Sequence, residues 1–583
     1  MKKEHHPHSN WLKLLRFVFS LLKTHKMYIG IILLASLGYS ILSGIAPTYW
    51  GSVFDRIADG EYDGVLFLLV VYSLLTIFTL LLNCLAEYFE KKLAFVVEAR
   101  LRHAIFSKIL HSPCKEIDQY DTGTLVSRIM IDVHHVISFT LEFITSLSSI
   151  TVGIGMSIAC MWQISNNLSI VAVVSIPISV FAYWLSRNSI SLVNQKKKKH
   201  GDLIYSFIVD SLRSILGIKA FCIESQYTRK YAELNEQSWK LQKSELLLRN
   251  KVDLILMFIN IVSKFITIGY SANLISAGQL TIGGLIAFQQ HTTRLHNGIV
   301  VLPQLGYSSQ SAIVSMERLE DLLIIENEFC ANTSDIAFAK ITSVNYQDIV
   351  FGYNNSNTVL HGFSLSISSP GLYAIVGENG CGKSTVLKLL MQFYSPNSGT
   401  ICINNMPIST LAINQLRAEI GYYSNDVFIA NDSVYYNLTM REHSSPDQCE
   451  ISHLLSICRK IGLDDIVMYP TDLDKRISNH GYNLSCGQRQ KIAIARALLD
   501  KASVLLLDEI TSNLDGETLE KALSALSELA HNKIIIMVTH QYQVVDRASK
   551  VVMLDQGVVL DLGTHKILTD KSAKYRKLFD NSG

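Results

Sequence analysis

The chain has 583 residues, enough for two or three domains. Apolar residues make up 49% and charged residues only 17%, which excludes a protein that is soluble along its whole length. The net charge of +2 argues against a nucleic-acid binder, which would carry a basic face. The ten cysteines form no C-x-x-C pair and give no metal framework.

The first ten residues, MKKEHHPHSN, are polar. His5, His6 and His8 read as part of a solvated tail rather than a metal site. The first apolar run, from Ile29, is too long for a signal-peptide core and lacks a small-residue cleavage site. It reads as a retained span. A bilayer core needs about 20 helical residues, and in lipid every backbone polar group must pair internally, so long apolar runs become helices. Clear runs lie at Ile29–Tyr49, Val65–Cys84, Phe143–Trp162 and Leu168–Leu185. A fifth, Val252–Ile275, contains Lys264, and the weakest, Ile282–Leu302, contains QQHTTRLHN.

Charge orients these spans. The stretch between the second and third carries Lys91, Lys92, Arg100, Arg102 and Lys108, and that between the fourth and fifth carries Lys196 to Lys199 and Arg213. The first short loop carries Asp55, Asp59, Glu61 and Asp63 instead. By the positive-inside rule the two long connections and both termini are cytosolic. Polar groups within spans are costly and face a cavity or another helix. Lys264, Gln289, Gln290, His291, Arg294 and His296 are therefore expected to line a path across the membrane.

After about Leu323 short apolar runs alternate with turns and amphipathic helices, an α/β pattern. The run Leu372–Val376 reads as a strand and leads into Gly377-x-x-Gly380-x-Gly382-Lys383-Ser384 and a helix. This is the phosphate loop in its strand–loop–helix setting. Glycines let backbone N–H groups turn toward phosphate oxygens, and the helix N-terminus adds positive potential. Lys383 would reach the β- and γ-phosphates and Ser384 would ligate Mg²⁺. Val504–Leu507 reads as a buried parallel strand that delivers Asp508 to the metal and Glu509 to the attacking water as general base.

Leu484-Ser485-Cys486-Gly487-Gln488, running into RQKIAIARALL, resembles the LSGGQ signature of ATP-binding cassette (ABC) proteins. Tyr353 sits where that family stacks an aromatic on adenine, Ser512-Asn513-Leu514-Asp515 resembles the D-loop, and His540 resembles the switch histidine. The membrane half resembles a type I exporter through DTGTLVSRIMIDV at Asp121–Val133, LGIKAFCIE at Leu216–Glu224, GQLTIGGLIAF at Gly278–Phe288 and SMERLEDLL.

The resemblance implies a cytosolic segment at 1–26, an all-α six-helix transmembrane domain at 27–325 and an α/β P-loop ATPase domain at 326–583. It implies that ATP is held by Tyr353, Gly377, Glu378, Asn379, Gly380, Cys381, Gly382, Lys383, Ser384, Thr385 and Asn425. Ser485, Gly487, Gln488 and Asp515 would act across a dimer, and Ser384, Asn425 and Asp508 would hold Mg²⁺. Glu509, His540 and Lys383 would carry hydrolysis. The implied protein is a half-transporter in a bacterial plasma (inner) membrane, with its ATPase domain in the cytosol. It would pair as a homodimer, touch the lipid bilayer and no nucleic acid, and export a peptide such as a bacteriocin. Multidrug or lipid export, and an ATP-gated channel or regulatory ATPase, are the alternatives.

Three positions depart from the family pattern. Asn425 stands where a glutamine is usual, Ser478-Asn479-His480-Gly481 replaces G-E-x-G, and Cys486 replaces a glycine.

Overall fold

A computed structural model of the chain describes residues 17, 22–328, 340–353, 357–442, 447–477, 481 and 483–580. His5, His6, His8, Ser478, Asn479 and His480 lie outside them. The chain divides into two compact units, Met1–Leu110 with Gln119–Ile325, and His111–Asp118 with Glu326–Gly583.

The first unit is helical. Its long helices are α1 (Lys26–Ala58), α2 (Val65–Leu110), α5 (Val133–Ile164), α6 (Asn166–Arg213), α8 (Glu224–Ser276) and α9 (Ile282–Ile324). Short helices α3 (Cys114–Ile117), α4 (Thr122–Ser127) and α7 (Ile215–Ala220) sit in the two long connections, and a π-helical turn at Arg128–Asp132 leads into α5. α3 belongs by its contacts to the second unit. At 1.5 Å per residue the 46 residues of α2 reach about 70 Å, more than twice a bilayer core. The apolar runs are therefore parts of helices that continue far beyond the lipid, as the long basic connections require.

Among the described residues five helices are long and apolar enough to cross a membrane, among them α2, α8 and the first part of α6. α9 is a continuous helix but falls short of that measure, because of its polar middle. Leu66, Phe67 and Leu74 of α2 are exposed, as lipid-facing side chains are, while Leu93, Val97 and Ile105 pack with Val133, Ile137, Met316 and Leu319. At the other end of the bundle Asp55 Oδ1 accepts from the Gly283 N–H at 2.6 Å and Asp55 Oδ2 from the Thr281 hydroxyl at 3.0 Å, satisfying donors that open α9.

The second unit is α/β. A four-stranded antiparallel sheet runs β2 (Leu360–Ile367), β1 (Val344–Phe351), β4 (Ser398–Ile403), β5 (Met406–Pro407). A six-stranded sheet runs β10 (Val558–Gly563), β9 (Lys550–Asp555), β3 (Gly371–Val376), β8 (Ile534–Val538), β7 (Val504–Asp508), β6 (Ile420–Ser424). β6, β7, β8, β3 and β9 pair in parallel. β3, β7 and β8 are buried along their whole length, as strands covered on both faces must be. The helices used below are α10 (Lys383–Leu390), α11 (Val434–Thr439), α12 (Cys486–Leu499) and α13 (Gly516–Ala530).

Candidate nucleotide site

β8 lies between β3 and β7, so three adjacent strands end side by side. β3 delivers the loop from Gly377, β7 delivers Asp508 and Glu509, and β8 leads to His540. Ligands of open parallel sheets bind beyond the carboxyl ends of such strands.

The loop keeps its shape through glycine. Gly382 has φ 103°, and a Cβ there would stand 2.7 Å from Leu360 Cδ2. At Gly377 a Cβ would come within 2.2 Å of the Leu554 carbonyl oxygen. A side chain at Gly377 would meet backbone, and one at Gly382 would be strained by the positive φ and would displace the Leu360 side chain. Lys383 is buried and donates to the carbonyls of Gly377, at 2.8 Å, and Glu378, at 2.9 Å. Its ammonium thus rests inside the loop. Glu378, Asn379 and Gly380 are exposed, while Cys381, Gly382 and Thr385 are buried.

Ser384 Oγ donates to Asp508 Oδ1 at 2.9 Å, and Tyr422 Oη donates to Asp508 Oδ2 at 3.4 Å. Burial pushes the Asp508 carboxyl above its ordinary pKa, against the Ser384 hydrogen bond. A buried carboxylate beside a hydroxyl is an oxygen-only donor pair, which fits Mg²⁺. Among the described residues no group of three or more His, Cys, Asp or Glu gathers as a metal centre.

Glu509 has φ 54°, in the left-handed region that non-glycine residues rarely occupy. Its N–H bonds the Val538 carbonyl at 3.1 Å, and its carboxylate lies 3.5 Å from His540 Nε2. Burial, then the Lys383 charge, hold the His540 imidazole below its usual pKa, and Glu509 only partly offsets them. Tyr353 is exposed, meets Phe351 and Tyr394 edge-on, and shares a hydrogen bond with Thr385 at 3.2 Å.

The remaining candidates stand apart. Ser485 caps α12: its hydroxyl accepts from Gln488 N, while Ser485 N donates to Gln488 Oε1 at 2.9 Å. Gln488 also donates to Asp465. A Cβ on Gly487 would lie 3.2 Å from the Asn513 carbonyl, and Cys486 is exposed beside Arg489. Asp515 caps α13 through Thr518 N at 3.1 Å. Among the described residues no hydrogen bond joins Ser485, Gln488 or Asp515 to the phosphate loop.

Asn425 follows β6, whose last residue, Ser424, pairs with Asp508. Its side-chain carbonyl accepts from Gln490 Nε2 at 2.7 Å. Gln490 was not among the sequence candidates. The helical pattern could hint only at its burial, since Gln490 lies one turn before the buried Ile494 on α12, and not at its partners.

In the first unit a cavity of about 860 Å³ is lined by charged side chains, among them Asp132, Lys197, Lys198, Glu245, Arg249 and Arg318. Asp132 is buried beside Lys198 (3.6 Å) and Arg318 (3.9 Å), and Glu245 is shared by Lys197 and Arg249 at 2.7 Å each. These residues lie roughly 5–24 Å along their helices beyond the apolar runs. None of the polar residues expected to line a path, Lys264, Gln289, Gln290, His291, Arg294 and His296, is in this cavity's wall. Arg294 instead donates to the Ser40 carbonyl at 2.9 Å and to the Ser43 hydroxyl, and His296 bonds the Thr292 carbonyl at 3.0 Å. Interhelical and intrahelical bonding takes up Arg294 and His296, whereas among the described residues both ring nitrogens of the buried His291 are without a hydrogen-bond partner.

Comparison with known proteins agrees with this architecture. The ABC transporter transmembrane region family matches residues 29–295, and the ABC transporter family matches residues 360–512. The chain therefore belongs to the ABC transporters in which a membrane region and an ATP-binding cassette are fused. It is a multi-pass membrane protein whose cassette binds ATP and couples ATP hydrolysis to transport, in a family that typically dimerises.

Similar proteins include the ATP-dependent lipid A-core flippase of Alcanivorax borkumensis, 25% identical over 96% of both chains. Another is the lactococcin-G-processing and transport ATP-binding protein LagD of Lactococcus lactis subsp. lactis, 27% identical over 94% of this chain and 77% of that one. The solved structure of a bacterial Atm1-family ABC exporter with ATP bound has a TM-score of 0.85 at 21% identity, covering 96% of this chain and 99% of that one.

Proposed function

We propose that this chain is one half of an ATP-driven exporter, working as a homodimer in a bacterial plasma membrane with its cassettes in the cytosol. The observation that carries it is the convergence of Lys383, Ser384, Asp508, Glu509 and His540 at three adjacent strand ends, in a chain whose described residues include five helices apolar enough to span a bilayer. The division into a cytosolic segment at 1–26, a membrane domain at 27–325 and an ATPase domain at 326–583 is part of this reading.

ATP would lie on the loop Gly377–Thr385 with its adenine against Tyr353. Lys383 would leave the loop carbonyls for the phosphates, which offer a stronger, fully charged partner. Ser384, Asp508 and Asn425 would hold Mg²⁺, which supplies charge neutralisation on the β- and γ-phosphates. Glu509 takes the proton of the attacking water and His540 contacts the γ-phosphate. Ser485, Gly487, Gln488 and Asp515 would complete the partner's site, which accounts for their distance from this chain's own loop. ATP closes the pair of cassettes, and loss of phosphate removes the contacts that hold it closed. The cargo would then meet the outer side.

A peptide is the preferred cargo. The charged wall of the cavity in the first unit suits a solute with its own charges, and a relative is named for lactococcin transport. Lipid export is the second reading, favoured by the flippase relative. Inverted membrane vesicles decide between them. ATP-driven uptake of a labelled bacteriocin-type peptide, absent with a nonhydrolysable ATP analogue, supports the first reading. Uptake of a labelled lipid alone supports the second, and uptake that continues with the analogue overturns pumping.

A further inference from the structure

Gln490 is 1% exposed and makes three hydrogen bonds to two different segments. Its Oε1 accepts from the Asn513 N–H at 2.8 Å, and its Nε2 donates to the Ser512 hydroxyl at 2.9 Å and to Asn425 Oδ1 at 2.7 Å. The orientation is forced. A backbone N–H can only donate, so the Gln490 carbonyl faces Asn513 and its NH₂ faces the other two. Asn425 must then present its carbonyl to Gln490. Asn425 and Ser512 are themselves exposed, so Gln490 sits beneath them as a shared floor.

This arrangement has a consequence for Asn425. Its position after β6, next to the strand that ends in Asp508, places it at the edge of the proposed metal site. Its side chain is one methylene shorter than glutamine and carries a single carbonyl oxygen. That oxygen is already hydrogen-bonded inward. We propose that Gln490 is a positioning residue for nucleotide binding: it holds the Asn425 carbonyl in an inward rest position, and engagement of metal-bound nucleotide by Asn425 competes with that bond for the oxygen. Release leaves the Gln490 NH₂ to Ser512 alone, so the segment leading to Asp515 registers what occupies the site. Gln490 touches no nucleotide in this account; it acts through Asn425.

The inference rests on the nucleotide site proposed above, and its test separates the two. Binding of trinitrophenyl-ATP to the full-length protein in nanodiscs is measured with Mg²⁺ and with EDTA. Gln490→Met deletes the hold on Asn425. Gln490→Glu keeps the acceptor for Asn513 and removes the donors to the Asn425 carbonyl and to the Ser512 hydroxyl. Both variants should bind the nucleotide more tightly by about two- to tenfold, the worth of one hydrogen bond, in Mg²⁺ and unchanged in EDTA. In an Asn425→Ala background neither substitution should shift the Mg²⁺ value further. An equal shift in EDTA, persistence of the shift in Asn425→Ala, or no shift in Gln490→Glu overturns the proposal. Failure of the unmodified protein to bind the probe at all would instead overturn the nucleotide site itself.

Discussion

Ser384 Oγ and Asp508 Oδ1 lie 2.9 Å apart, joining the first turn of α10 to the last residue of β7. The pair brings an oxygen from each half of the phosphate site to one point. Burial raises the Asp508 pKa, so the proton is bound more tightly in the folded chain than in the unfolded one. The stability this group contributes is present at low pH and lost as pH rises through its raised pKa, leaving a charged Asp508 as a cost at neutral pH. A bound cation reverses that cost. MgATP at a hundred times its dissociation constant should stabilise the chain by about 2.7 kcal/mol. ATP with EDTA should do less, and Ser384→Ala should narrow the difference. Thermal melting of the reconstituted protein measures all three.

His540 gives a pH prediction. Its imidazole is held below the ordinary histidine pKa by burial and by Lys383, so it is neutral in the nucleotide-free site at pH 7 to 8. A γ-phosphate placed beside it favours the charged form and raises that pKa. Binding then takes up a proton, and ATP affinity strengthens as pH falls. Between pH 8 and pH 6 the dissociation constant should fall about two- to fivefold more in the unmodified protein than in His540→Gln. Equal pH dependence in the two would remove His540 from the phosphate.

Arg417 grips Glu328 with two hydrogen bonds, at 2.9 and 2.7 Å, and its guanidinium lies over Phe393. Glu328 N also donates to the His111 carbonyl at 2.8 Å. These contacts pin the chain where it enters the second unit. Arg417→Ala leaves a mostly buried carboxylate without its partner and should cost about 1–3 kcal/mol of stability. Arg417→Lys restores charge without the paired geometry and should recover only part. Denaturant unfolding checks both.

Much of this was legible in the sequence. Gly377, Gly380, Gly382 and Lys383 announce the phosphate loop because the backbone geometry admits few other residues. Asp508 and Glu509 are marked by the apolar strand that carries them. The apolar runs mark the long helices, although α9 is hard to read because His291, Arg294 and His296 find partners or burial that no local pattern reveals.

What the sequence hid depends on contacts between distant segments. Segment 111–118 lies between membrane helices in the chain yet belongs to the second unit. Gln490 looks like any glutamine on a polar helix start until Asn425, Ser512 and Asn513 surround it. The cavity wall joins Asp132 to Lys198, Arg318 and Asp202, residues of three separate helical segments, and each alone reads as a solvated charge.

The most direct test is ATP turnover by reconstituted protein carrying Glu509→Gln. The substitution keeps the shape and the left-handed backbone of Glu509 but removes its basicity. With magnesium present, the variant should retain ATP and hydrolyse it at least about a hundredfold more slowly than the unmodified chain, the usual worth of a positioned general base. Undiminished turnover, or no retained ATP in either protein, would contradict a cassette that burns ATP at these strand ends.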